Sequence, residues 1–180
     1  MVYILLADGF EEIEALCPLD LLRRAGVEVK TVSVTDRKTV VGSHGIPVVA
    51  DYTDGNDLKE LEMLILPGGM PGSKTLDTSP FVEGCIRYAA GGDAYIAAIC
   101  AAPMVLGHRG LLTGKKATCY PGFEPELAGA ILTDAPAVRD GRIITGRGMG
   151  AAYDFGLLLV ETLKGKDAAD ALGRAIVYYK

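Results

Sequence analysis

Histidine, surplus basic charge and long apolar runs are what this sequence has least of. Its 180 residues include 2 histidines, and 18 Lys and Arg stand against 23 Asp and Glu, a net charge of −5 at pH 7. Two histidines make a zinc site improbable, and the acidic balance argues against nucleic acid as a partner, because phosphate binding needs a basic surface. The longest nearly apolar stretch, Ala94 to Gly107, contains Pro103 and is shorter than the roughly 18 residues that cross a bilayer.

The cysteines favour a reducing compartment. Cys17, Cys85, Cys100 and Cys119 form no Cys-x-x-Cys pair and show no Cys/His ligand spacing, so we expect free thiols and no bound metal. The N-terminal residues lack the basic region and the small-residue cleavage site of a signal peptide, so we expect a cytoplasmic protein. With 49% hydrophobic residues and no linker or repeat, residues 1–180 are predicted to form a single domain.

Strands and helices are predicted to alternate along the chain. Val2 to Ala7, Met63 to Leu66 and Ala94 to Ile99 have the apolar character of buried parallel strands. Residues 11–26 have near-helical spacing of apolar side chains, and residues 27–34 follow as a strand. This pattern predicts an α/β fold with a doubly wound, mostly parallel sheet between helices, and a ligand site at the carboxyl ends of the strands.

Shorter elements complete the predicted fold. They are a hairpin on the sheet edge within Thr39–Ala50, a helix at Ala101–Leu106, a strand at Ala117–Tyr120, a hairpin of Ala137–Asp140 and Ile143–Thr145, and closing helices at Ala151–Leu163 and Asp167–Tyr178. Strand ends at residues 8–9, 67–69 and 100 are thereby expected at the ligand site.

The sharpest local feature is Cys100, which lies where a buried strand ends and a helix begins, as in a nucleophile elbow. Helix N-terminal amides there favour a thiolate, so we expect a lowered pKa for the thiol. The alternative is a small buried hydrophobe, which is a common role of free cysteine. The other three cysteines lie within ordinary elements and are interpreted as packing residues.

Backbone donors are predicted beside this thiol. In the Pro67-Gly68-Gly69 turn, two glycines let backbone N–H groups face a neighbouring oxygen, and the amide of Ala101 supplies a second donor. A tight bend explains the turn equally well. No Gly-Lys-Ser/Thr follows it, so it is not a phosphate loop, and no cofactor fingerprint is present.

Acidic residues open the first helix. Glu11, Glu12 and Glu14 suit a helix N-terminus, where the dipole stabilises negative charge. Glu14 could instead turn inward, where burial would raise the pKa of its carboxyl and let it shuttle protons. The histidines offer no evident base, because His108 lies about 12 Å along a helix from Cys100 and His44 lies in a Gly-rich hairpin.

Several separated motifs together resemble one family. ADGFEEIEA, LLRRAG, LPGG, AAICAAP and TGRGMG occur in this order, and the chain is similar through nearly its whole length to the ThiJ/PfpI superfamily, in the branch of the human Parkinson-disease protein and bacterial YajL. The resemblance implies a flavodoxin-like sandwich, a homodimer, an oxidation-prone cysteine at Cys100 and a protonated glutamate at Glu14. It places the oxyanion-type donors on Gly69 and Ala101, with Gly68 adjacent.

Two departures bear on mechanism. The PfpI-type proteases carry histidine directly after the cysteine, where this chain has Ala101, so protease activity is not supported. Tyr120 stands where the human relative has a histidine, which removes the most obvious base and leaves Tyr120 as a pocket residue. His44 falls where that relative has an arginine near its dimer partner's site, so His44 is a second pocket candidate.

Three hypotheses follow. The first, from the resemblance, is a cofactor-independent enzyme that acts on α-oxoaldehydes or their early glycation adducts, with Cys100 as nucleophile and Glu14 as acid and base. The second is a non-enzymatic oxidative-stress sensor or redox-linked chaperone that uses oxidation of Cys100. The third, thiamine thiazole-phosphate metabolism, rests on the family name alone.

Overall fold

A computed structural model describes residues 1–56 and 60–178 of the chain. Its strands are β1 (Val2–Leu6), β2 (Val29–Ser33), β3 (Thr39–Val41), β4 (Pro47–Val49), β5 (Met63–Leu66), β6 (Tyr95–Ile99), β7 (Lys116–Ala117), β8 (Ile131–Leu132), β9 (Ala137–Asp140) and β10 (Ile143–Gly146). Its α-helices are α1 (Glu12–Arg24), α2 (Gly72–Thr78), α3 (Pro80–Gly91), α4 (Pro103–Gly107), α5 (Ala152–Lys164) and α6 (Lys166–Ala175). Short 3-10 helices lie at Glu124–Glu126 and Met149–Ala151.

A six-stranded sheet in the order β2-β1-β5-β6-β10-β9 forms the centre of the fold. All neighbouring strands in it are parallel except β9, which pairs with β10 in antiparallel orientation. Every residue of β1 and β5 is buried, as the apolar runs predict for strands covered on both faces. The predicted α/β sandwich with a mostly parallel sheet is confirmed.

Helices cover both faces of the sheet and define two apolar cores. One core joins alternate residues of β1 and β5 to side chains from α2, α3 and α4. The other joins the intervening residues to α1 and α5, which approach each other closely because Gly156 has no Cβ that would overlap Leu21. None of the helices among the described residues is both long and apolar enough to cross a membrane.

Several local predictions differ from the structure. The hairpin of β3 and β4 forms its own two-stranded sheet instead of extending the main one. The predicted strand Ala117–Tyr120 is wrong beyond Ala117, since the amides of Thr118 and Tyr120 bond to Thr145 Oγ1 and the Cys100 carbonyl. Helix α4 begins at Pro103, two residues later than expected, because residues 100–102 form the turn.

Candidate active site

The backbone at Cys100 forms a strained turn between β6 and α4. Cys100 has a φ of 65°, a left-handed conformation that residues other than glycine adopt with strain and that often occurs at functional sites. Its amide donates to the carbonyl of Gly146 at 2.9 Å, and its carbonyl accepts from the amide of Tyr120 at 2.9 Å. Bonds to two neighbouring segments therefore hold the predicted nucleophile elbow in place.

The carboxyl group of Glu14 lies against this turn. Glu14 projects from α1 and is 0% exposed, so the inward orientation is the one the chain adopts. Its Oε2 accepts from the backbone N–H of Gly68 at 3.0 Å, while its Oε1 is buried without a hydrogen bond of good geometry. The Cys100 thiol lies close enough to the carboxyl to alter its titration.

Glycine is required at position 68 for this packing. A Cβ there would overlap Glu14 Oε2 and would lie 2.6 Å from the Cβ of Cys100, which is closer than carbon atoms approach. The Gly68 amide is engaged by Glu14 and so is not available to a bound oxygen. Gly68 therefore orients Glu14, a role different from the donor role that the sequence suggested.

Two other amides face the thiol. Gly69, at a φ of +90°, and Ala101, directly after the elbow, both bring their backbone N–H groups to Cys100. A hydrogen bond from the start of α1 holds the Gly69 turn in place, because the amide of Glu11 donates to the Gly68 carbonyl at 2.9 Å. These amides can donate to a negative oxygen that forms on an atom bound to the sulfur.

Burial shifts the pKa of both Glu14 and Cys100. Burial raises the pKa of Glu14 to about 7, against the hydrogen bonds that the carboxyl receives. Burial and the Glu14 charge raise the pKa of Cys100 to about 12, against the amides of Ala101 and Gly69. The expected lowering of the thiol pKa is therefore wrong, because two amide dipoles do not offset burial beside a carboxylate. Above neutral pH the negative charge of the pair therefore lies on the Glu14 carboxylate, and the thiol keeps its proton.

The two pocket candidates lie on different parts of the surface around this pair. Tyr120 is half exposed, is tied to Cys100 through its backbone, and places its ring against Gly148. His44 is held by Glu12, whose Oε2 lies 2.8 Å from Nδ1 of the ring. The structure thus puts Tyr120 beside the elbow and His44 at the start of α1.

Glu11, Glu12 and His44 bring potential metal-ligand atoms within 4.8 Å of one another. Hydrogen bonds account for this arrangement. Burial alone would raise the pKa of Glu12, but bonds from His44 and from Ser43 lower it to about 2, so Glu12 acts as a charged acceptor for the β3–β4 turn. We assign no metal to this group.

The remaining thiols differ from Cys100 in their surroundings. Cys17 and Cys85 are half-buried and Cys119 is buried, and burial raises the pKa of each thiol to about 11. The charges of Asp20 and Glu124 add to this rise at Cys17 and Cys119. Sequence reasoning did not foresee that Gly146 of the TGRGMG motif holds the elbow through its carbonyl, and the repeated glycines of that motif were the available signal.

Comparison with known proteins identifies the family of this chain. Residues 1–162 match the model of the DJ-1/PfpI family. The chain belongs to this family. It is 34% identical over 177 residues to Protein dj-1beta of Drosophila melanogaster, covering 97% of this chain and 95% of that protein.

Two further members of the DJ-1/PfpI family bear on structure and activity. A cysteine-to-alanine mutant of a DJ-1 superfamily protein from Salmonella typhimurium superposes with a TM-score of 0.94 at 36% identity, covering 99% of this chain and 98% of that one. A Schizosaccharomyces pombe relative, 31% identical over 97% of each chain, is named glutathione-independent glyoxalase DJ-1. The family thus includes a protein that is named for an enzymatic activity.

Proposed function

We propose that this chain is a cofactor-independent cysteine enzyme acting on α-oxoaldehydes or their early glycation adducts, with Cys100 as nucleophile and Glu14 as acid and base. The observation that carries the proposal is the fully buried Glu14 carboxyl packed against the Cys100 thiol between two backbone donors. The name of the fission yeast relative supports a glyoxalase reaction without glutathione. Amide or peptide hydrolysis is less well supported, because no histidine adjoins the thiol.

The first step is addition of the thiol to the aldehyde. The sulfur of Cys100 bonds to the aldehyde carbon of methylglyoxal, and the thiol proton passes to the Glu14 carboxylate. Because the pKa of Glu14 is raised to about 7, this carboxylate is a stronger base than an ordinary one at neutral pH. The amides of Gly69 and Ala101 stabilise the oxygen anion, which takes the proton back from Glu14 to give a hemithioacetal and restore the Glu14 carboxylate.

The second step moves hydrogen between adjacent carbons. Glu14 removes the proton from the former aldehyde carbon, which forms an enediol, and then delivers a proton to the neighbouring ketone carbon. The product is a thioester of lactate on Cys100. Water hydrolyses this thioester, releases lactate and restores the thiol, so the aldehyde is oxidised and the ketone is reduced within one molecule and no external redox partner is needed.

The test is lactate production from methylglyoxal by the purified protein with a metal chelator present. We expect Cys100→Ala to abolish the activity and Glu14→Gln to lower kcat by about 10²-fold or more, the range of general acid–base catalysis. Cys85→Ala, at a half-buried thiol on α3, is the matched control and should leave the rate unchanged. Wild-type rates in Cys100→Ala or Glu14→Gln would reject the assigned roles.

A second function is favoured by one feature of the same site. Glu14 Oε1 is buried without a hydrogen bond of good geometry, so a protonated Glu14 could donate to an oxygen added to the Cys100 sulfur. This would stabilise a sulfinate and suit an oxidative-stress sensor or redox-linked chaperone. Peroxide treatment and peptide mass spectrometry test it, and equal oxidation of all four cysteines would count against it.

We further propose a cytoplasmic homodimer of single-domain chains. Ile13 on α1 is 47% exposed, and Ile46 and Val49 on the β3–β4 hairpin are 51% and 71% exposed. The hairpin is bonded to α1 through His44 and Glu12, so these apolar side chains can share one interface. Analytical ultracentrifugation should show a dimer that Val49→Asp weakens, and a wild-type monomer at micromolar concentration would contradict it.

A further inference from the structure

His108, directly after α4, lies between two carboxylates. Its Nδ1 is 2.8 Å from Asp77 Oδ2 on α2, and its Nε2 is 2.8 Å from Glu126 Oε2 on the 3-10 helix Glu124–Glu126. A carboxylate oxygen can only accept, so both ring nitrogens must carry hydrogen for both bonds to exist. The geometry therefore requires an imidazolium, and loss of its proton breaks one of the two bonds.

The surrounding charges favour this protonated state. Arg109 donates to Asp77 Oδ1 at 2.7 Å and to Glu83 Oε2 on α3 at 2.7 Å. Glu83 also accepts from Arg87 at 3.2 Å, so the cluster holds three carboxylates against Arg87, Arg109 and His108. Its charges balance only when His108 is protonated. The hydrogen bonds with Glu126 and Asp77 raise the pKa of His108 accordingly.

One arm of the cluster leads to the Cys100 elbow through successive backbone hydrogen bonds. The amide of Glu126 donates to the Phe123 carbonyl at 3.0 Å, and the amide of Phe123 donates to the Tyr120 carbonyl at 3.1 Å. The amide of Tyr120 then donates to the carbonyl of Cys100 at 2.9 Å. Glu126 is thereby connected to the wall of the candidate active site.

The other arm leads to the turn at Gly69, whose backbone amide is one of the two donors that face the thiol. Asp77 lies on α2, near the end of that helix, and at its start the amide of Ser73 donates to the Gly69 carbonyl at 2.9 Å. His108 is the point at which these two arms meet. A change at His108 can therefore alter the position of Tyr120 relative to Gly69 on either side of the thiol.

We propose that His108, as an imidazolium bonded to Asp77 and Glu126, is a positioning residue that clamps the Tyr120 segment to the Gly69 turn across the candidate active site. The clamp is closed below the pKa of His108 and opens as pH rises through it. The clamp itself is a structural property of the chain, and only its effect on turnover rests on the proposed function.

The first test is a titration of the two histidines by NMR. His44→Gln assigns the signals, since the chain has 2 histidines. We expect the pKa of His108 to lie above the ordinary 6.5, both ring nitrogens to be protonated below it, and Glu126→Gln to lower it. A pKa of His108 at or below 6.5, or one unchanged by Glu126→Gln, would overturn the clamp.

The second test is hydrogen exchange at the amides of Tyr120, Phe123 and Glu126. In His108→Gln, we expect protection at these amides to fall about three- to tenfold, as for loss of a partly buried ion pair, and the pH-dependent opening to disappear. His44→Gln is the matched control and should leave these amides as in wild type. Equal protection in wild type and His108→Gln would refute the proposal.

The pH dependence of lactate formation distinguishes a failure of the clamp proposal from a failure of the proposed enzymatic function. If lactate forms, we expect kcat of the wild type to fall as His108 deprotonates, and His108→Gln to lack this step in its pH profile. If the NMR and exchange results hold but no lactate forms, the clamp stands and the enzymatic proposal fails. An identical pH profile in wild type and His108→Gln would contradict the positioning role.

Discussion

Replacement of Gly68 by alanine tests the packing of Glu14 against Cys100. The added Cβ would overlap Glu14 Oε2 and lie 2.6 Å from the Cβ of Cys100, so the carboxyl must move away. Overpacking of a tight core costs about 1–3 kcal/mol, and weakening the buried bond from the Gly68 amide adds about 1–3 kcal/mol. We therefore expect Gly68→Ala to lower the free energy of unfolding by about 2–6 kcal/mol, and Tm by roughly 4–24 °C.

Gly68→Ala should also lower the rate of lactate formation. Displacement of Glu14 by about 1 Å from the thiol can lower the rate about 10²-fold. Urea unfolding measures the effect on stability and lactate production the effect on rate. Gly84→Ala on α3 is the matched control, because a Cβ at Gly84 meets nothing within 4 Å and alanine is the better helix former. If Gly68→Ala has the same free energy of unfolding and the same rate of lactate production as Gly84→Ala, the packing argument is refuted.

Two further predictions concern stability. Folding raises the pKa of Glu14 from 4.5 to about 7, so its contribution is fully present below pH 4.5 and is lost as pH rises through 7; the loss is on the order of 3 kcal/mol. Urea unfolding from pH 5 to 8 should show this fall relative to Glu14→Gln, and parallel curves would contradict it. Ile65→Ala in the fully buried β5 should cost about 2–5 kcal/mol. Ile131→Ala, at a side chain that is 55% exposed, should cost less than about 1 kcal/mol, and equal losses would be inconsistent with the assigned core.

The central architecture was predictable because its signals are local. β1, β5 and β6 are short apolar runs that end in glycine-rich turns or at Cys100, and burial on both faces requires that composition. The antiparallel pair β9–β10 was predicted from a turn at Gly141, which has a φ of +61°. Helices α2 and α3 were not predicted, although Ser79 caps α3 by accepting from the amide of Val82.

The proximity of the candidate site residues was predictable, but their electrostatics were not. Parallel strands bring their carboxyl ends to one edge, which places Cys100 near Gly69 whatever the details of the loops. The orientation of Glu14 was left open, because a helix N-terminus explains an acidic residue equally well. The raised pKa of the Cys100 thiol depends on how deeply that carboxyl is buried beside it, and this depth is set by tertiary packing of α1.

Residue roles that depend on distant partners could not be predicted. The charged neighbours of His108 lie 31 and 18 residues away in sequence, and no periodic pattern links them. Its spacing from Cys100 had placed His108 along the helix, whereas it lies just after α4, and its two carboxylate partners were not expected. In the same way, the carbonyl of Gly146 reaches the elbow only because β10 pairs with β6 in register.

The most direct test of the central claim is the conversion of methylglyoxal in deuterium oxide, followed by NMR of the lactate. If Cys100 binds the aldehyde and Glu14 carries the proton between carbons, the wild type should form lactate, with deuterium on the carbon that bears the hydroxyl to the extent that the Glu14 proton exchanges with solvent, and Cys100→Ala should form none. Lactate formed by Glu14→Gln at the wild-type rate and with the same deuterium content would contradict the role of Glu14. Lactate formed by Cys100→Ala at the wild-type rate would contradict the whole account.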